Sequence, residues 1–155
     1  LLELLESFAA EPTTVLHGDC RISNAHFCKA GGGGAALLDF EFASRGRAAL
    51  DIASFLCGSL RCDLRRQIEM DLLIEYHATI CRRGVTGYAF DDLLHDYRQA
   101  VLLCLVLPAC SAPEWVDLAN EGGLLRGSPA GARFELACAI VHRITTAVAD
   151  FHGEE

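Results

Sequence analysis

Apolar residues fall along the chain in two rhythms, and the change comes near residue 40. Before it the apolar stretches are short. Residues 3–10 read as the end of an amphipathic, acidic helix stopped near Pro12, and Val15-Leu16 as a short strand entering His17-Gly18-Asp19. Ala25 to Cys28 and Ala35 to Asp39 are two more apolar runs, separated by Lys29-Ala30 and glycines 31–34. That pattern predicts a β-hairpin with a loose glycine turn.

Beyond Asp39 the spacing becomes helical. Leu50, Ile52, Ala53, Phe55 and Leu56 predict a mostly buried helix over about 47–60. Ile68, Leu72, Leu73, Tyr76 and Ile80 predict a second over about 64–81, closed by Gly84. A third runs from Phe90 to Leu107, entered through Asp91-Asp92 and broken by Pro108. A short helix over 115–120 ends at Gly122-Gly123, and Gly127-Ser128-Pro129 signals the start of a last helix over about 130–151. One hairpin followed by about five helices, without repeats or an interdomain linker, predicts a single mostly helical α+β domain over 1–155.

Composition narrows the function classes. The chain is 52% hydrophobic, enough to fill a core. Its net charge of −8 argues against nucleic acid and against an anionic membrane surface as partners. No apolar run reaches the roughly 18 residues of a membrane span, and the acidic start lacks the form of a signal peptide. The eight cysteines form no C-x-x-C pair, so zinc and a disulfide framework are both disfavoured; they read as reduced, mostly buried thiols of a cytoplasmic protein. The histidines other than His17 are scattered singly, as surface or satisfied core residues are. Glycines 31–34 lack the following Lys-Ser/Thr of a P-loop.

The candidate chemistry lies in three pieces: His17-Gly18-Asp19-Cys20-Arg21-Ile22-Ser23-Asn24, then Asp39-Phe40-Glu41-Phe42, then Asp51. A phosphoryl-transfer site needs a carboxylate to receive the acceptor hydroxyl's proton and oxygen ligands that hold Mg²⁺ on the phosphates. Asp19 and Asn24 share one loop, and the hairpin can return Asp39 beside it. An Asp and an Asn suit a hard ion better than zinc. Taken singly, Asp19 also suits a turn, Asn24 a cap and Asp51 the acidic first turn of a helix.

Together these motifs resemble the protein-kinase-like small-molecule kinases: the aminoglycoside phosphotransferase, choline kinase and ecdysteroid-kinase-like group. His17 to Asn24 resembles their H-G-D-x-x-x-x-N catalytic loop, and Asp39-Phe40-Glu41-Phe42 their metal motif, especially its choline-kinase-like form. Glu75-Tyr76-His77 and Asp96-Tyr97-Arg98 resemble bacterial ecdysteroid-kinase-like members. The likeness is strong over 16–56 and weak after about 110.

The resemblance implies a kinase-like C-terminal lobe whose hairpin carries the catalytic loop and the metal motif. It implies Asp19 as catalytic base, Asn24 and Asp39 as ligands of Mg²⁺–ATP, and His17 and Asp51 as structural supports. The acceptor would be a hydroxyl on a small molecule. The family's N-terminal lobe brings a glycine loop and a strand Lys. Neither precedes Asp19, and Lys29, the single lysine, lies in the hairpin. The chain therefore reads as a fragment, partnered by an upstream or separate N-lobe. The alternative is a non-catalytic remnant or binding module that keeps the fold without that lobe.

Overall fold

Helix α1 (Leu2–Ala9) leads into strand β1 (Thr14–Leu16), and a 3-10 turn over Ile22–Asn24 leads into β2 (Ala25–Phe27). Then come β3 (Ala35–Leu37), β4 (Ser44–Gly46), α2 (Ala49–Ser59), α3 (Cys62–Arg82), α4 (Phe90–Leu103) and α5 (Pro129–His152). The structure, a computed structural model, describes residues 2–28, 34–106, 108–109 and 128–152. The expected helix over 115–120, Lys29 and glycines 31–33 lie outside the described residues. The architecture is mostly helical, with two small antiparallel sheets. Among the described residues no helix is long and apolar enough to cross a membrane.

The expected hairpin is present as β2 and β3, with Ala25 opposite Leu37 and Phe27 opposite Ala35. A second antiparallel pair joins β1 to β4, with Thr14 opposite Gly46 and Leu16 opposite Ser44. Strand β4 was not legible: Ser-Arg-Gly carries no apolar alternation, and its partner lies some thirty residues away in sequence. The backbone is close-packed there: a Cβ at Gly46 would come within 2.9 Å of Leu16 Cδ1 and 3.2 Å of the Phe8 carbonyl oxygen.

Helix α2 lies at the centre, packed on α3, α4 and α5. Ala49, Ala53 and Cys57 recur every fourth residue and are fully buried, so α2 presents a row of small side chains to its neighbours. The core is completed by Phe8, Leu56, Leu73, Leu93, Tyr97, Ala100, Val101, Ile144 and Ala147. Helix α4 stops at Leu103, short of the expected Leu107, because the ladder tightens: Cys104 N–H reaches Ala100 O, whereas Leu105 N–H reaches only Leu102 O. The start of α5 is as expected, with the Ser128 hydroxyl accepting from Gly131 N–H at 3.0 Å and Pro129 in the first position.

Helix α3 departs from its expected face. Leu73 is buried and Ile68, Tyr76 and Ile80 are half-buried, but Leu72 is 43% exposed while Arg65 and Glu69 lie inside. The buried stripe is therefore 65, 69, 73, 76, 80, shifted because the charges are satisfied. Arg65 forks onto both Glu69 oxygens at 2.6 and 2.7 Å and also reaches Asp150 on α5. Glu69 accepts the Tyr97 hydroxyl at 2.9 Å, and that hydroxyl lies 3.6 Å from Cys57 Sγ. The Arg66 hydrogen bond, and then that of Arg65, hold the Asp150 carboxyl below its usual range.

Candidate functional site

The loop between β1 and the 3-10 turn is built from the first turn of α2. Asp51, half-buried there, accepts His17 N–H at 2.6 Å and Gly18 N–H at 3.1 Å. One carboxylate thus ties down two successive backbone donors. Gly18 has φ +82° and lies against the backbone of Phe42, whose carbonyl a Cβ would overlap. Glycine at this position lets the segment after Asp39 press onto the loop.

His17 is 3% exposed and uses both ring nitrogens. Nε2 donates to Leu38 O at 2.8 Å, and Nδ1 accepts Asp19 N–H at 3.3 Å. These partners select one neutral tautomer, with the proton on Nε2. The ring also meets Phe40 at a centroid distance of 4.3 Å. His17 therefore links the residue before Asp39 to the backbone of Asp19.

Asn24 closes the arrangement. Its Nδ2 donates to Asp19 O and to Asp19 Oδ2, each at 2.9 Å, and its backbone carbonyl accepts Leu38 N–H at 2.8 Å. Arg21 Nη2 adds an ion pair to Asp19 Oδ2 at 2.9 Å. So Oδ2 of Asp19 is occupied, and among the described residues no donor reaches Oδ1. Asp39 follows Leu38 directly, in the left-handed region at φ 68°, a conformation that Asp tolerates better than most residues. Its side chain is exposed and unpaired among the described residues.

The backbone at Leu38 thus brings Asp39 next to Asn24, and Asn24 is bonded to Asp19. Arg21, which pairs with Asp19, was not among the expected site residues; only its place inside the H-G-D-x-x-x-x-N loop could have suggested it. Burial, with Asp51 and Asp19 nearby, pushes the Cys20 thiol up to about 11, away from the thiolate form.

The donor set fits a hard cation. With Nδ2 turned to Asp19, Asn24 keeps Oδ1 for a ligand, and Asp39 supplies a carboxylate one residue after Leu38, whose N–H bonds the Asn24 carbonyl. Among the described residues no group of three His, Cys, Asp or Glu side chains is placed to hold a metal ion by itself. A metal here would draw its remaining ligands from phosphate and water, as Mg²⁺ prefers. A cavity of about 510 Å³ opens beside Asp19 and runs between α2, the end of α4 and α5.

Removing the Asp51 carboxylate strands two amides. Asp51→Ala is expected to cost about 1–3 kcal/mol, lowering the melting midpoint by about 2–10 °C. Asp51→Asn, which retains one acceptor oxygen, should fall between. Thermal denaturation followed by circular dichroism checks this; an unchanged midpoint in the Ala variant would make Asp51 an ordinary helix acid.

No match is found among curated proteins or among solved structures. The family model described as the phosphotransferase enzyme family matches residues 1–94, which include the loop, the hairpin, Asp39 and Asp51. Because that match spans more than half of the chain, the protein belongs to the kinase-like phosphotransferase enzyme family.

Proposed function

We propose that the chain is the C-terminal, catalytic lobe of a small-molecule kinase that uses Mg²⁺–ATP, with 1–155 forming one domain. The observation that carries this reading is the continuous hydrogen-bonded lattice Asp51–His17–Asp19–Asn24–Leu38. It sets a carboxylate with one free oxygen against the Asn24 amide and ends at Leu38, the residue before Asp39. Asp19 is the catalytic base, Asn24 and Asp39 hold Mg²⁺–ATP, and His17 and Asp51 are positioning residues. The metal's chemistry is to neutralise charge on the phosphates. In the transfer, the bond from the γ-phosphorus to the β–γ bridging oxygen breaks and a bond to the acceptor oxygen forms. The hydroxyl proton passes to Asp19 Oδ1.

The nucleotide's other contacts come from an N-terminal lobe, upstream or separate. In support, Val15, Phe27, Leu37, Leu38, Phe40 and Phe42 are between 42% and 77% exposed around the loop, an apolar surface that such a lobe would cover. The free thiols among the described cysteines accord with a reducing, cytoplasmic setting.

Calorimetric titration with Mg²⁺–ATP tests this. The 155-residue chain alone should give weak binding or none, and joining it to its N-lobe should bring affinity into the micromolar range. Micromolar affinity of the chain alone would overturn the two-lobe reading. Failure of the joined protein to bind would leave a non-catalytic remnant.

A further inference from the structure

Helix α2 meets the loop that carries Asp19 at both of its ends. In its first turn Asp51 accepts from the His17 and Gly18 amides. At its last residue the Ser59 hydroxyl oxygen accepts Ile22 N–H at 2.9 Å. The two acceptors are eight residues apart, about 12 Å along a helix axis. The loop is thus splinted along the helix, tied down just before Asp19 and again three residues after it.

Ile22 opens the 3-10 turn that ends at Asn24. That turn holds itself by few bonds: Asn24 N–H reaches Arg21 O at 2.9 Å, and Ala25 N–H reaches Ile22 O. An acceptor outside so short a turn decides where its first residue sits. Asn24 then donates to both the carbonyl and Oδ2 of Asp19. A shift at Ile22 therefore moves the Asn24 amide and, through it, the Asp19 carboxylate.

The acceptor is itself braced. Ser59 lies in the last turn of α2, where carbonyls lack helical partners and the chain frays. Arg143 on α5 donates to the Gly58 carbonyl at 2.9 Å, and a cation also suits a helix C-terminus. Ser59 is not among the described residues that line the cavity beside Asp19, so its action runs through the loop.

We infer that Ser59 is a positioning residue for phosphoryl transfer, the second anchor of the catalytic loop, which fixes Asn24 and Asp19 by way of Ile22. Arg143 is its brace. The part in transfer rests on the kinase reading of Asp19 and Asn24; the anchoring does not. Because the Ser59–Ile22 bond is exposed, water can replace the hydroxyl. Its loss should loosen the loop and leave global stability nearly intact.

Amide exchange with water, followed by NMR on the ¹⁵N-labelled 155-residue chain without nucleotide, reads the anchor. Ser59→Ala should speed exchange at the Ile22 amide by about threefold to tenfold, the equilibrium worth of one hydrogen bond. The Asn24 side-chain amide should follow, while the His17 and Gly18 amides, held by Asp51, keep their rates. Ser59→Thr, which retains the hydroxyl, should restore both. Arg143→Met should speed Ile22 in the same order, and it serves if the Ala variant fails to fold. An unchanged Ile22, an Asn24 amide that does not follow, acceleration shared equally by His17 and Gly18, or a Thr variant that behaves as Ala would each overturn the inference.

Hydrolysis of Mg²⁺–ATP by the chain joined to its N-lobe reads the consequence. Ser59→Ala should lower kcat by about threefold or more and Ser59→Thr restore it, with melting midpoints within about 4 °C of one another. An active joined protein whose kcat ignores Ser59→Ala would overturn the positioning role. A joined protein that hydrolyses no ATP would instead count against the kinase reading, and the exchange rates would still decide the anchor.

Discussion

Asp19→Asn, made in the chain joined to its N-lobe, is expected to lower phosphoryl transfer by about 10²–10⁴-fold, the usual contribution of a general base. Mg²⁺–ATP affinity should be nearly unchanged, because the proposed nucleotide ligands are Asn24 and Asp39. Asn is close to isosteric with Asp and leaves an amide oxygen to accept Asn24 Nδ2, so the loop should keep its shape. The lost ion pair to Arg21 is partly exposed, with side chains 43% and 22% accessible, and such pairs contribute about 0–1 kcal/mol. Stability should therefore hold while transfer collapses. Single-turnover transfer to an alcohol acceptor, together with a Mg²⁺–ATP titration, separates the two effects. A variant that transfers at the wild-type rate would remove Asp19 from the chemistry. One that loses nucleotide affinity in proportion would make it a binding residue instead.

The same loop shows what the amino-acid sequence makes visible and where it stops. Helical spacing of apolar residues placed α2 and α3, and start and stop signals placed α4 and α5, close to their observed spans, since both are local properties of the chain. The hairpin was visible for a similar reason: two apolar runs flank a glycine turn. The role of Asp51 was suggested only by the resemblance. A first-turn acid satisfies the pattern of any helix, and its contact with His17 spans 34 positions. Strand β4 and the approach of Phe42 to Gly18 left no trace, because both depend on the chain returning to a place set by tertiary packing. Arg21 was passed over because a polar residue in a polar loop carries no periodic signal. The hydrophobic reading was incomplete on α3, where Leu72 is exposed and two charged residues lie inside. Arg65 and Glu69 occupy core positions that apolar spacing assigns to solvent, and a third partner, Asp150, comes from the far end of the chain.

That charged part of the helix face carries the largest stability effect expected outside the site. Arg65 is 1% exposed and Glu69 8%, so each charge has been taken out of water and depends on the other. Burial works against the Arg65 guanidinium, but its bonds to Glu69 and Asp150 outweigh that and hold its pKa above the ordinary value. Arg65→Met keeps a linear side chain of similar reach and removes the cation. Glu69 is then left with only the Tyr97 hydroxyl, whereas Asp150, 27% exposed, retains Arg66. Breaking one side of a buried pair costs about 3–5 kcal/mol, because the remaining charge stays buried without compensation. Urea denaturation of Arg65→Met should show a loss of that size. Adding Glu69→Leu should recover much of it, since apolar replacement of both partners removes the stranded charge along with the bond. A surface role for the network predicts the reverse, a small loss from the single variant and a larger one from the double. Partial recovery in the double variant would thus show that α3 is held by the mutual dependence of its charges rather than by their sum.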